Sequence, residues 1–442
     1  MSVFIFSNEV TTMKRLLLIT ALCLAASPLH ALTLSELQQE ALSQRHSVKA
    51  FEAEAAIAEK NVQAARSPFL PSVDVGYTAN RYNHETITDT QEKNDAFQGS
   101  VSLNVFSGFS DSYNLKTAKS GAEAGQLNLK GTRQDVSQSV ALAYLGVYRS
   151  RQNLKVAQDA VSLYRDRYRE MQLKYNVGVL KKRDLLSVKV EMDNAVQTER
   201  KTKANITSAL NTLALVVGRP LSAEEVDALD FSIFTDLPVA IEAEEGKAIL
   251  LSKNSSLLSL QENLTGASMQ KKAARAAYMP RVDVSATYNS RYLDDYSFGS
   301  SETNGDDVRL TASVSMNLFD GLKKEATISK AALSETAIRH QLRELENSLT
   351  TNFDNAILDR DVAIDNLNVA RSGLDEAEEN LRITDLAFEQ GVATSTEVLD
   401  AIFNLSRARF NSISAQTDVF STHFTLLRLT EGYESGSAAN NG

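Results

Sequence analysis

Side chains able to do covalent chemistry are few in this 442-residue chain, and they do not gather. The five histidines, His30, His46, His84, His340 and His423, are scattered. No Gly-rich loop ending in Lys-Ser/Thr is present to cradle a phosphate, and no Gly-x-Ser-x-Gly elbow is present to expose a nucleophile. The one cysteine, Cys23, falls in an apolar run near the amino end, so the mature chain has neither a disulfide nor thiol chemistry. No enzyme activity, cofactor or metal is expected. What remains is charge. Glu397 and Asp400 are acids one helical turn apart, and taken alone such a pair reads as a solvated helix face.

The elements that would carry such residues come in two copies. Residues 64 to 77 read AARSPFLPSVDVGY and residues 273 to 288 read AARAAYMPRVDVSATY, so Pro71 and Pro280 stand 209 residues apart. VSLNVFSG at 101 to 108 and VSMNLFDG at 314 to 321 follow at an offset of 213. Self-similarity at a fixed offset means one structural unit used twice.

In the repeated stretches apolar and polar residues alternate. Val73, Val75, Tyr77 and Ala79 oppose Asp74, Gly76, Thr78 and Asn80, and Val101, Leu103 and Val105 oppose Ser100, Ser102 and Asn104. The second copy sets Val282, Val284, Ala286 and Tyr288 against Asp283, Ser285, Thr287 and Asn289. It then sets Val308, Leu310, Ala312, Val314, Met316 and Leu318 against Arg309, Thr311, Ser313, Ser315 and Asn317. Four strands of about ten residues, each with one greasy and one wet face, suit a bilayer with lipid on one side and water on the other. The smallest spanning barrels need eight strands, and open edges do not survive in hydrocarbon. The chain must pool its strands with other copies.

The chain in order gives the rest. Lys14 and Arg15 precede the apolar run from Leu16 to Ala26 and small residues up to Ala31, so residues 1–31 read as a secretory signal peptide, with 1–12 an upstream start-site extension. Its removal takes away Lys14, Arg15 and Glu9 and moves the net charge from −10 to −11, which argues against nucleic acid as a partner. Residues 32–217 form a first repeat: a helix, a β-hairpin over 72–106 and a long helical hairpin with its tip near 178. Residues 218–245 read as an acidic surface linker with some short structure of its own. Residues 246–430 repeat the pattern, with a β-hairpin over 281–319 and a tip near 391, and 431–442 read as a disordered tail. Along the long helix Val147, Leu154, Ala157, Val161, Tyr164, Tyr168, Met171 and Tyr175 follow in steps of seven, three and four, a heptad seam. Some 65 helical residues at about 1.5 Å each reach on the order of 100 Å, a column rather than a globule. Gly178 and Gly391 supply the left-handed residue at which one helix stops and an antiparallel one begins.

This order, with RSPFLPSVDV, VSLNVFSG and YNVGV in one half and MPRVDV, VSMNLFDG and FEQGVATSTEVLDA in the other, resembles the TolC family of outer-membrane channel proteins over nearly the whole mature chain. The resemblance implies a mixed α and β fold, internally duplicated. Four transmembrane strands per chain would enter a trimeric twelve-stranded barrel, and the helical hairpins would form a periplasmic coiled-coil tunnel. It implies an outer-membrane exit duct for type I protein secretion or multidrug efflux. An inner-membrane pump, ABC type or proton-driven RND type, would drive it through a periplasmic adaptor docked at the tips, Asn176, Val177, Gly178, Val179, Leu180 and Gln390, Gly391, Val392, Ala393.

The resemblance also places an entrance gate, with Glu397 and Asp400 ringing the opening and Asp184 beside them. Crowding six such carboxylates would raise some of their pKa values. The family's usual partners for the first-tip acid, an aromatic hydroxyl and an arginine, are here Phe388 and Ala393. The closed state must then be held otherwise, by Arg183 or Lys182, or less firmly. A non-conducting structural coiled-coil protein of the envelope is the alternative reading.

Overall fold

The computed structural model describes residues 31–81, 91–295 and 305–433. All but the last residue of the expected signal peptide, most of each loop joining paired strands, and the end of the tail lie outside them. Two long helices dominate, α3 (Ser110–Asn176) and α8 (Lys323–Glu389), each of 67 residues. Each returns through a tight tip as α4 (Lys182–Val217) or α9 (Ser395–Leu429). At the other end, α2 (His46–Arg66) and α7 (Ser255–Arg275) lead into the strands and pack along α3, and α7 also along α8.

The strands β1 (Ser72–Arg81), β2 (Gln91–Phe106), β3 (Arg281–Asp295) and β4 (Gly305–Ser315) form one antiparallel sheet in chain order. β2 and β3, at 16 and 15 residues, are longer than the ten expected, and β4 stops at Ser315, short of Met316 and Leu318. Register joins Val73 to Val101, Val101 to Ala286 and Ala286 to Leu310, so the apolar positions of all four strands share one face. That face is uncovered: Val73 is 71% exposed, Val308 74% and Leu310 77%. A sheet in water would bury these residues, each worth about 1.5–3 kcal/mol. β1 and β4 each have a single neighbour, so the sheet has two free edges.

Midway down the helices a belt is built from the two ends of each repeat. α1 (Leu34–Gln44), opened by a Thr33–Glu36 capping box, lays Leu34, Leu37 and Ala41 against Val140, Ala141 and Tyr144 of α3. The Tyr144 hydroxyl donates to the Asp230 carbonyl and, at 3.3 Å, to that of Leu32, which clamps the parallel bridge between Leu32 and Leu229. Burial raises the Tyr144 pKa.

Residues 218–245 carry the short structure expected of the linker, and one of its side chains enters the core. They contain α5 (Ala223–Asp227) and a 3-10 turn at Ser232–Phe234, and α6 (Ala243–Lys253) begins inside them. Phe234 is fully buried among Tyr144, Tyr148 and Phe420, because an aromatic cluster offers more apolar area than the flanking acids cost to keep at the surface. Order also runs past residue 430. Glu431 is buried at φ 59°, its carboxylate accepting from the Ser255 N–H at 3.0 Å, the Ser255 hydroxyl at 2.9 Å and Arg428 at 3.1 Å. The tail therefore pins the end of α9 to the start of α7 before leaving the described residues.

Candidate functional site

The end of the hairpins far from the sheet carries the candidate site. α3 closes on a Schellman motif. Gly178, at φ 79°, donates to the Tyr175 carbonyl at 3.0 Å, and Val179 to that of Lys174 at 2.9 Å. α8 closes the same way, Gly391 at φ 74° donating to Phe388 at 3.1 Å and Val392 to Ala387 at 2.9 Å. Both helices end as sharply as the two glycines demand. The turns hold three valines in water, Val177, Val179 and Val392, at 75–81% exposure. Asn176 and Gln390 are exposed beside them, while Leu180 and Ala393 are half-buried at the edge of the core below.

That core joins both hairpins: Tyr164 and Met171 of α3, Leu185 and Val188 of α4, Leu381 and Phe388 of α8, and Val398, Leu399, Ile402 and Leu405 of α9. Its seam residues are the heptad positions seen in the sequence. Burial, with Glu191 and Asp400 nearby, pushes the Tyr164 hydroxyl up to about 12.

Glu397 and Asp400 are both exposed on α9, on the side away from Val398, Leu399 and Ile402. Glu397 has a second task. It closes the capping box of α9, accepting from the Thr394 hydroxyl at 3.0 Å while its own N–H donates to that hydroxyl at 3.3 Å. These bonds from the Thr394 backbone and side chain hold its carboxyl below the ordinary glutamate value. Within one protomer Glu397 is thus moved opposite to the rise expected from crowding. Asp184 opens α4 and takes the Arg183 guanidinium at 3.2 Å; Arg183 is otherwise in solvent, as are Lys181 and Lys182. The structure therefore brings Glu397 together with Asp400 and Asp184 together with Arg183, but on separate hairpins.

Phe388 is buried, and two cations of the other hairpin lie over its ring: Lys174 Nζ at 4.2 Å from the centroid and the Arg167 guanidinium at 5.4 Å. Arg167 also pairs with Asp385 of α8 and, at 2.6 Å, with Glu170, which takes Lys174 at 2.8 Å. Burial, outweighing the attraction of Arg167, raises the Asp385 pKa. Sequence reasoning does not single out Arg167, Lys174 or Asp385. The available signal is that Arg167 lies one turn beyond the seam residue Tyr164, and Asp385 one turn before Phe388. Among the described residues no group of three His, Cys, Asp or Glu is placed to hold a metal, and no helix is long and apolar enough to cross a membrane.

The same arrangement recurs in known proteins. The outer membrane protein TolC of Escherichia coli K12 is 23% identical over 390 residues, covering 83% of this chain and 77% of its own length. The TolC of Vibrio cholerae is 22% identical over 422 residues, covering 92% and 93%. A crystal structure of a membrane protein from Pseudomonas aeruginosa superposes with a TM-score of 0.80 at 16% identity, over 90% of this chain and 92% of that one. The family model described as outer membrane efflux protein matches residues 37–219 and 248–431, the two halves in turn. The chain belongs to the outer membrane efflux protein family.

Proposed function

We propose that three copies of this chain form the outer-membrane exit duct of a tripartite export system, either type I protein secretion or multidrug efflux. The observation that carries the reading is the sheet, four strands with a bare apolar face and two free edges. Edge joined to edge, β4 of one copy to β1 of the next, closes a barrel without exposed backbone groups. Two copies would give eight strands and three give twelve; the family implies three. The 67-residue helices then run on the order of 100 Å from that barrel, far enough to cross much of a periplasm. A passive duct has no energy source, so an inner-membrane ABC or RND pump supplies the drive and selects the cargo.

The tips fit the two remaining tasks. The exposed valines between the paired helices offer an adaptor small apolar knobs on a rigid turn. The charges offer a closure: the first tip carries Lys181, Lys182 and Arg183, the second Glu389, Glu397 and Asp400. Alternating round a ring, tips of opposite sign attract, so Lys182 and Arg183 of one hairpin hold the acids of the next. Arg167, Asp385 and Phe388 meanwhile bind the two hairpins of each copy together. The test is the native mass of the purified mature protein in detergent. A trimer that precipitates when detergent is withdrawn supports the reading, and a water-soluble monomer overturns it.

A further inference from the structure

The apolar surface does not stop where the strands do. Below β1 and β3, Phe69 and Leu70 are 49% and 64% exposed, and their repeats Tyr278 and Met279 are 42% and 54% exposed. At the start of α3 and α8, Phe109 and Leu322 are 60% and 63% exposed. Both of these last residues are left-handed, at φ 70° and 68°, and each follows a left-handed glycine, Gly108 or Gly321. A bulky residue in this conformation is strained by roughly 1–2 kcal/mol. The same strain at the same place in both halves asks for a reason.

We infer that this collar is sunk in the acyl layer of the leaflet facing the periplasm, and that the paired left-handed residues exist to turn Phe109 and Leu322 outward into it. The height of the strands supports this. On β1 the lipid-side set runs from Val73 to Ala79 and is then closed off by the Arg81–Asp95 ion pair on the same face. The six steps between these residues, at about 3.3 Å each and tilted by about 40°, give a band only about 15 Å high on this strand. Outer-membrane barrels carry an apolar band of about 25 Å. The collar lies directly below and supplies the missing height. Gly108 cannot be replaced to ease the bend, because a Cβ there would come within 2.5 Å of the Met279 Cβ and 2.8 Å of the Ala276 carbonyl oxygen. In the first half, therefore, the close approach of the second half keeps residue 108 a glycine, while at Gly321 the space is open. The inference rests on the outer-membrane location of the sheet and not on the number of copies.

The test uses the full chain with Cys23→Ala, which leaves no native thiol, and adds one cysteine at a time through Phe109→Cys, Leu322→Cys, Val75→Cys or Leu173→Cys. Each is labelled with bimane and reconstituted into phosphatidylcholine vesicles with and without brominated acyl chains. Labels at 109 and 322 are expected to be quenched by brominated lipid as strongly as at 75, while a label at 173, near the tip, is not. Quenching at 109 and 322 no greater than at 173 overturns the proposal, and so does labelling that succeeds only after unfolding, which would put the collar under another subunit. A second variant, Phe109→Asn with Leu322→Asn, keeps a residue type that accepts the left-handed bend and removes the apolar side chain. It is expected to retain its helical circular dichroism and be lost from the outer-membrane fraction. Undiminished recovery in that fraction would contradict the collar's role.

Discussion

Removing Arg167 should loosen the contact between the two hairpins of each copy. Its guanidinium is 12% exposed and pairs with Asp385, 36% exposed, while lying over Phe388. A fully buried charge left without its partner costs about 3–5 kcal/mol, an exposed pair under about 1 kcal/mol, and this pair is intermediate. Adding the lost cation–π contact, Arg167→Met should cost about 2 kcal/mol locally. That corresponds to roughly a 30-fold rise in the open population. Asp385→Asn should cost less, because the fold already favours the neutral acid. Since the folded-state pKa of Asp385 is raised, its contribution is present at low pH and lost as pH rises, so mild acid should tighten this contact rather than release it. Hydrogen exchange of the amides from Leu381 to Ala393 reads the effect directly. The double variant should exchange no faster than Arg167→Met alone. Exchange at the wild-type rate in Arg167→Met, or simple additivity in the double variant, would refute the reasoning.

Glu225 is held down at about 2, chiefly by Arg219, which also clamps Glu40. Because the folded value is depressed, this stability is full above the ordinary glutamate pKa and lost as pH falls towards 2, so Glu225→Gln should flatten the acid limb of a melting-temperature profile. A Cβ at Gly178 or Gly391 would meet no atom within 4 Å, so Gly178→Ala and Gly391→Ala should each cost only the left-handed penalty of about 1–2 kcal/mol, seen as fraying of the tip by exchange and weaker adaptor binding. Glu431→Ala strands the two buried donors of Ser255 and takes one partner from Arg428, which keeps Asp135, and should lower stability by about 2–4 kcal/mol by thermal melting. Glu397→Ala with Asp400→Ala should change single-channel conductance and abolish block by divalent cations; unaltered block would remove these residues from the gate.

Strands, seam and tips were legible because each rests on a short period: two for Val73 to Ala79, three and four for Val147 to Tyr175, one glycine for each turn. The belt was not, because Phe234 and Glu431 are stabilised by residues roughly 90 to 190 positions away, Tyr144, Phe420 and Ser255, and nothing local marks an aromatic or a carboxylate for burial. The cluster around Phe388 failed for the same reason. Reading Phe388 as an aromatic lacking its hydroxyl hides the cations Arg167 and Lys174 that lie over its ring from another helix. Glu397 shows a third limit, since its capping-box spacing from Thr394 is present in the sequence but is masked by the larger role that the resemblance suggests.

The central claim is that copies of this chain enclose a water-filled path through the outer membrane. Single-channel recording of the purified mature protein in planar lipid bilayers tests it most directly. Discrete, ohmic, cation-preferring openings of uniform size are predicted, and a bilayer that stays silent despite inserted, correctly folded protein would contradict it.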